Sequence, residues 1–380
     1  MNQFDFLIVG AGFTGSVLAE RLASQLDKKV LLVEKRDHIG GNAYDFYNEA
    51  GIMVHKYGPH IFHTNSKKVW NYLSQFTKWR PYYHRSLATV EGIQVPIPFN
   101  LNSLYQCFSP VYARKLENLL IDEFGYGRKI PILKMKERSS GELNFLANYI
   151  YKHVFLGYTT KQWGLTPEEI DDSVTARVPI QISRDNRYFQ DNYQAIPLEG
   201  YTEMFKKMID NENIEVVLST DFKEVVDDIS FDRMIYTGPI DAYFDYLHGE
   251  LPYRSLQFEY RHLEQEFHQS AGIVTYPNEF DFTRITEFKH LTGQQSRSTT
   301  IAYEFPMAHV PGKSQPYYPI PHPENRDLFS KYKSESKQLE KSVLFAGRLA
   351  DYLYYDMDQA VARALNLFEK DLCSSTQMIT

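Results

Sequence analysis

Cysteine is scarce in this chain. Cys107 and Cys373 are the only two among 380 residues and stand far apart, which excludes a disulfide framework as the source of stability. No apolar run approaches the ~18 residues of a membrane helix. The first residues read as a strand without a basic leader, so neither a span nor a signal peptide is expected, and a cytoplasmic location is. Excess positive charge is missing too. Forty-one Lys and Arg against 48 Asp and Glu leave a net charge of −7, which argues against a nucleic-acid partner held by bulk charge. Internal repeats, low-complexity tracts and flexible linkers are absent. Aromatics are plentiful: 28 Tyr and 25 Phe dominate an aromatic content of 15%. Tyrosine packs as a hydrophobe and keeps a hydroxyl, which suits a polar, ring-bearing ligand as well as a core. The length suggests two or three domains at ~100–200 residues each.

Phe4–Val9 is a short apolar run that ends in GAGFTG, from Gly10 to Gly15. Helical apolar spacing follows over Ser16–Leu26, then a second buried-type strand over Lys29–Val33 ending at Glu34. Strand, glycine turn, helix, strand and acid make a βαβ unit that predicts a bound dinucleotide. Gly10 permits the tight turn, Gly12 lets backbone amides approach a pyrophosphate, and Gly15 allows close helix–strand packing. Glu34 is placed to accept from ribose hydroxyls, and its charge disfavours a 2′-phosphate. The adjacent Gly40 and Gly41 before Asn42 let the chain fold back over the same pyrophosphate. That longer pattern resembles flavoproteins of the two-dinucleotide-motif class, amine oxidases among them.

From Lys67 to Lys152 the pattern predicts mostly helix, with fragments at Val69–Phe76, Leu101–Phe108, Ala113–Phe124 and Glu142–Tyr151. Alternating stretches predict strands at Leu256–Tyr260, Gly272–Tyr276 and Thr300–Phe305. A helix over Tyr201–Ile209, strands at Ile214–Leu218, Arg233–Tyr236 and Val343–Ala346, and a last helix from about Asp358 to Lys370 complete the reading. A dinucleotide-type fold thus opens the chain, is interrupted twice, and closes near its end. Three histidines at His55, His60 and His63 invite a zinc reading, but no cysteine lies nearby and carboxylate ligands are not obvious. Neutral histidines packed beside a ring are expected instead, and no metal.

Several segments together carry a specific resemblance. They are GPHIFHT at Gly58–Thr64, GYTTKQWG at Gly157–Gly164, YFQDNYQ at Tyr188–Gln194 and IYTGPID at Ile235–Asp241. The strand TRITEFKH at Thr283–His290, PYYP at Pro316–Pro319, and the stretch from Gly347 to Met357 join them in order. They resemble bacterial UDP-galactopyranose mutases. The resemblance implies an α/β architecture: a discontinuous Rossmann-like FAD-binding domain (1–78, 204–247 and 330–380), an inserted helical domain (79–150) and an antiparallel β-sheet domain (151–203 and 248–329). It implies interconversion of UDP-galactopyranose and UDP-galactofuranose by ring contraction, through a covalent flavin N5–galactose adduct and without net redox change. FAD active when reduced, a reductant such as NAD(P)H, supply of galactofuranose to cell-surface polysaccharide, and a homodimer are implied with it.

The site residues implied by the resemblance are as follows. Arg177 and Arg284 fall on the two diphosphate-binding arginines, whose planar forks suit a dianion that is also the leaving group. His63 joins them as a catalytic candidate. Tyr188, Tyr318 and Tyr354 match phosphate-binding tyrosines, Phe155 and Tyr158 the uridine-stacking region, Trp163 the mobile loop near the sugar, and Arg254 a further position near the substrate. For the cofactor, Phe13, Thr14, Lys35, Gly41, Asn42, His60, Ile61, Gly238, Arg348, Asp356 and Met357 join Gly10, Gly12, Gly15 and Glu34. In the helical region some family members carry Asn-Ser-Pro where this chain has His84, Arg85 and Ser86, so no role is assigned to His84. The insertions around Lys134–Ser140 and Lys313–Gln315 receive no reading. An amine-oxidase-like FAD oxidoreductase is the alternative, disfavoured because an amine has no use for two arginines. A non-catalytic UDP-sugar or flavin-binding module is the third reading.

Overall fold

The computed structural model describes residues 3–373. Gln3–Val9 forms the middle of a five-stranded parallel sheet, ordered Ile214–Val217, Val30–Val33, Gln3–Val9, Ser230–Tyr236 and Val343–Phe345. All four residues of Val30–Val33 are buried, as expected of a parallel strand covered on both faces. Helices Phe13–Leu26, Tyr201–Ile209 and Met357–Leu367 pack over one face, with Val17, Leu22, Phe205, Val361 and Leu365 in the shared core. Three of the five strands come from beyond residue 200, so the sheet closes only when distant parts of the chain return to it.

The second large sheet has seven strands, ordered Tyr318–Pro319, Tyr253–Leu263, Thr299–Ala308, Arg284–Glu287, Ile273–Thr275, Ser86–Val90 and Ile93–Ile97. Two features depart from the sequence reading. First, Trp79–Pro81, Ser86–Val90 and Ile93–Ile97 are strands inside the stretch predicted as mostly helix. Ser86–Val90 and Ile93–Ile97 form a hairpin whose turn residues Glu91 and Gly92 both have positive φ, the geometry of a type I′ turn. Each strand is only five residues long, too short for its period of two to stand out against the helical pattern around it. Second, the sheet is mixed. Ile273–Thr275 pairs in parallel with Ser86–Ala88, because the hairpin arrives from a distant part of the chain. The predicted helical segments do form a layer beyond this edge, around Leu116, Leu120, Leu146 and Ile150.

One buried carboxylate anchors the strand that carries Arg284. Glu287 is fully buried and accepts from the backbone N–H groups of His268 and Gln269 (2.9 Å each) and from Thr299 Oγ1 (2.7 Å), with His290 Nε2 at 3.4 Å. Desolvation pushes its pKa upward, but these hydrogen bonds outweigh that and hold it at about 2. A carboxylate with a depressed folded-state pKa adds stability above its unfolded pKa, near 4.3, and loses it as the pH falls towards 2. Glu287→Gln is expected to cost on the order of 2–3 kcal/mol at pH 7. In urea titrations across pH, the gap from the wild type should close between about pH 4.5 and 2.

Candidate active site

Two cavities meet at the junction of the two sheets. The first, about 640 Å³, is lined by Gly10, Gly12, Phe13, Thr14, Glu34, Lys35, Gly41, Asn42, His60, Gly238, Arg348 and Met357. Its floor is a turn that only glycine can make. Gly10 sits at φ +103°, and a Cβ there would lie 2.2 Å from Thr237 Oγ1. Gly12 and Gly41 bring two segments into contact, so that a Cβ on Gly41 would lie 2.9 Å from Gly12 Cα. Gly40 N donates to Ala11 O at 2.8 Å and ties the two segments together. Gly15 lies beneath the cavity rather than in its lining. A Cβ there would be 1.9 Å from the Gly10 carbonyl oxygen, so this glycine lets the helix close against the strand.

The helix Phe13–Leu26 starts at Gly12 with no capping side chain and no acidic residue in its first turn. Its free N–H groups and positive dipole end are left for an anion. Glu34 is buried, and its two oxygens accept from the N–H groups of Ala11 (2.9 Å) and Arg36 (3.0 Å). Arg36 was not singled out from the sequence. Its guanidinium lies 4.5 Å above the Tyr57 ring and donates to Asn42 Oδ1 and Gln315 Oε1, while Nη1 is buried without a hydrogen-bond partner among the described residues. Gln315 belongs to the unexplained insertion, which with Lys313 and Ser314 forms a cavity wall beside Pro311 and Gly312. A glycine cradle, an uncapped helix end, an acid and an orphaned cationic donor fit a dinucleotide.

The second cavity, about 550 Å³, shares His60, Arg348 and Met357 with the first. It brings together His63, Phe155, Tyr158, Trp163, Arg177, Tyr188, Arg284, Tyr318 and Tyr354, with Ile61 and Asp356 on its wall. Thus Ile61 and Asp356, expected at the cofactor, lie on the second cavity's side of the junction. Arg284 donates through Nε to Glu304 Oε2 at 2.8 Å, and its Nη2 lies in ion-pair contact with the same oxygen at 2.8 Å. Glu304 is buried, which fixes the guanidinium and leaves its other N–H groups for a ligand. Arg177 pairs with Asp356 and lies 4.1 Å over the Tyr354 ring. Tyr318 and Tyr354 stack at 5.1 Å, each 5.9 Å from Trp163. Burial raises the hydroxyl pKa values of Tyr158, Tyr188 and Tyr318, so they remain donors at neutral pH.

His55 and His60 are neutral for the same reason. Burial takes His60 to about 3 and His55 to about 4. His55 Nδ1 accepts from His60 N–H at 3.0 Å and thereby orients the His60 backbone. His63 stacks on Phe189 at 3.6 Å and bonds Asp191 through Nδ1. His84, left without a role in the sequence reading, is buried in the same wall. Desolvation, with Arg284 and His63 nearby, takes it to about 3. Only the departure from the family pattern at this position could have drawn attention to it.

Arg254 is not among the residues brought together. Its Nε donates to Gln162 O at 2.8 Å and its Nη2 to Lys161 O at 3.0 Å. It therefore closes the C-terminal end of the helix Gly157–Trp163, just before Gly164 in its left-handed conformation. Lys161 reinforces this by donating to the carbonyls of Tyr276, Phe280 and Phe282. Arg254→Met is expected to raise KM by about ten-fold, the loss of one charged hydrogen-bond pair, with kcat within about three-fold of the wild type. Steady-state kinetics checks this, and a loss as severe as that of an Arg284 variant would place Arg254 on the substrate.

This fold and paired cavity define a Rossmann-like dinucleotide-binding enzyme, and a model of NAD(P)-binding Rossmann-like domains matches residues 8–76. The model of the UDP-galactopyranose mutase family matches residues 153–354, over half of the chain. A probable UDP-galactopyranose mutase of Klebsiella pneumoniae is 37% identical, over 98% of this chain and 96% of its own. The dTDP-fucopyranose mutase of Escherichia coli is 34% identical, over 94% and 96%. The chain belongs to the UDP-galactopyranose mutase family and is an isomerase of that family. A crystal structure of a reduced UDP-galactopyranose mutase shares the fold, with TM-score 0.74, 14% identity, and coverage of 99% of this chain and 95% of that one.

Proposed function

We propose that the protein interconverts UDP-galactopyranose and UDP-galactofuranose with FAD in the first cavity and the nucleotide sugar in the second. The observation that carries this is the meeting of Arg177 and Arg284 in a cavity that shares His60, Arg348 and Met357 with the dinucleotide cradle. Bound and reduced, the flavin would supply a nucleophilic N5 towards the anomeric carbon. The chain's own residues do the rest. Arg177 and Arg284 grip the diphosphate bidentately and stabilise the charge that grows on it as the C1–O bond breaks. Tyr188, Tyr318 and Tyr354 donate hydroxyl hydrogen bonds to the same oxygens. Phe155 and Tyr158 offer faces to the base. Trp163 and the helix end at Gly164 shield the opened sugar from water.

Asp356 holds Arg177 until the diphosphate takes its place, while Glu304 keeps Arg284 fixed throughout. An amine substrate would meet like charge here, which disfavours the amine-oxidase reading. The helix that begins at Met357 directs its N-terminus at the junction of the two cavities, with Asp356 at its cap and Asp358 in its first turn. A nicotinamide reductant, a cytoplasmic homodimer and delivery of galactofuranose to cell-surface polysaccharide complete the proposal. Among the described residues no helix is long and apolar enough to cross a membrane. To test the function, the FAD-loaded protein is assayed with UDP-galactose and, as competitor, dTDP-fucose, the sugar named for the Escherichia coli relative. Turnover of UDP-galactose that exceeds that of dTDP-fucose supports the reading, and the reverse preference overturns the substrate.

A further inference from the structure

Three parts of the second cavity have occupants under the reading above: the flavin junction at His60, Arg348 and Met357, the diphosphate at Arg177 and Arg284, and the sugar between them. The end nearest the helical layer takes the base, and its polar groups are unassigned. It is walled by Ile97, Val154, Phe155, Val178 and Pro179, an apolar slot in which few groups can hydrogen-bond. Gln181 is one of them. Its residue is 4% exposed, its backbone N–H is spent on Phe99 O at 2.8 Å, and its strand pairs with Lys129, which lines the same cavity.

The orientation of the Gln181 amide follows from its neighbour. Gln190 Nε2 lies 2.8 Å from the carbonyl oxygen of Arg187, which only accepts, so the nitrogen of the Gln190 amide is fixed. The same Nε2 reaches Gln181 Oε1 at 3.4 Å. Gln181 therefore spends its oxygen on Gln190, and Nε2 is the end left for the cavity. Lys129 beside it is likewise a donor. That end of the slot offers donors to whatever base enters.

We infer that Gln181, set by Gln190, reads the nucleobase by donating to the carbonyl at C4, and so makes the site selective for a pyrimidine dione such as uracil over cytosine. The two bases share the C2 carbonyl, but at C4 a dione presents a carbonyl oxygen where cytosine presents an amino group, and a donor facing that amino group would be left buried without a partner. The inference rests on the nucleotide-sugar reading and adds to it the residue that chooses the base.

Isothermal titration of UDP and of CDP into the FAD-loaded protein tests it. The wild type should prefer UDP by at least about ten-fold. Gln181→Glu keeps an oxygen for Gln190 and turns the cavity-facing end into an acceptor, so the preference should fall to about one or reverse. Gln190→Leu removes the constraint and lets the amide turn over, so the ratio should also collapse while UDP still binds. A purely packing role for Gln181 would weaken both nucleotides equally. An unchanged UDP to CDP ratio in Gln181→Glu overturns the inference and leaves the functional reading intact. Failure of the wild type to bind UDP overturns both.

Discussion

Arg284→Ala lowers kcat/KM by about three orders of magnitude while FAD stays bound. The effect has two sources. Removing a preorganised donor at developing charge costs roughly 10²–10³ in rate, and loss of a bidentate grip on the diphosphate adds to it in KM. The same change has a structural cost, because Glu304 is buried and Arg284 is its ion-pair partner. A buried carboxylate left alone costs about 3–5 kcal/mol. The two costs separate experimentally. Arg284→Ala combined with Glu304→Gln should recover most of the lost Tm and none of the lost turnover. Near-wild-type kinetics in Arg284→Ala, with normal flavin absorbance, would remove this residue from the diphosphate site.

Gly15→Ala yields a protein without flavin. Its Cβ would stand 1.9 Å from the Gly10 carbonyl oxygen, a backbone atom with no freedom to turn aside. The helix must lift from the strand, and both the uncapped helix end and the Gly10 turn move with it. The loss exceeds the ~1–3 kcal/mol usual for overpacking, because backbone must shift where a side chain would normally rotate. Gly51→Ala is the control: φ is +70° there, but nothing lies within 4 Å of the added Cβ, so only the modest strain of a left-handed residue is added. Flavin content by visible absorbance after purification, with Tm alongside, checks the pair.

These two sites differ in how far sequence reaches. The glycine cradle is legible because it is local: the turn, the helix start and the acid at Glu34 all fall within one βαβ unit, and each residue type is dictated by backbone geometry. The last helix and the central strands are legible because long apolar periods announce them. Arg177 and Arg284 are legible only through the family pattern, since no spacing brings residues 177 and 284 to one cavity. The hairpin Ser86–Ile97 was hidden because its pairing partner, Ile273–Thr275, lies nearly two hundred residues away. Arg254 lies on a helix end outside the lining of the second cavity, which sequence does not reveal because an arginine near a substrate and an arginine on a helix end carry the same letter. Only the carbonyls of Lys161 and Gln162 distinguish them. Arg36, Gln315 and His84 escaped because neighbours distant in sequence, Gln315 against Arg36 and Arg284 near His84, give them their setting, and Gln181 because its pairing with Gln190 exists only in the folded geometry.

The excess of tyrosine acquires a partial explanation. Some of it is core, as at Tyr201 and Tyr332, both fully buried. Another part lines the second cavity, where Tyr158, Tyr188, Tyr318 and Tyr354 surround the two arginines. The negative overall charge is no obstacle to the proposed dianion, because Arg177, Arg284 and Arg348 all line the second cavity, the first two paired with Asp356 and Glu304.

The most direct measurement reduces the purified FAD-loaded protein with dithionite under anaerobic conditions, adds UDP-galactofuranose and chromatographs the nucleotide sugars. The account predicts conversion to UDP-galactopyranose by the reduced protein and none by the oxidised protein, whose N5 is not nucleophilic. Unchanged UDP-galactofuranose after incubation with the reduced protein, or equal conversion by both forms, would contradict it.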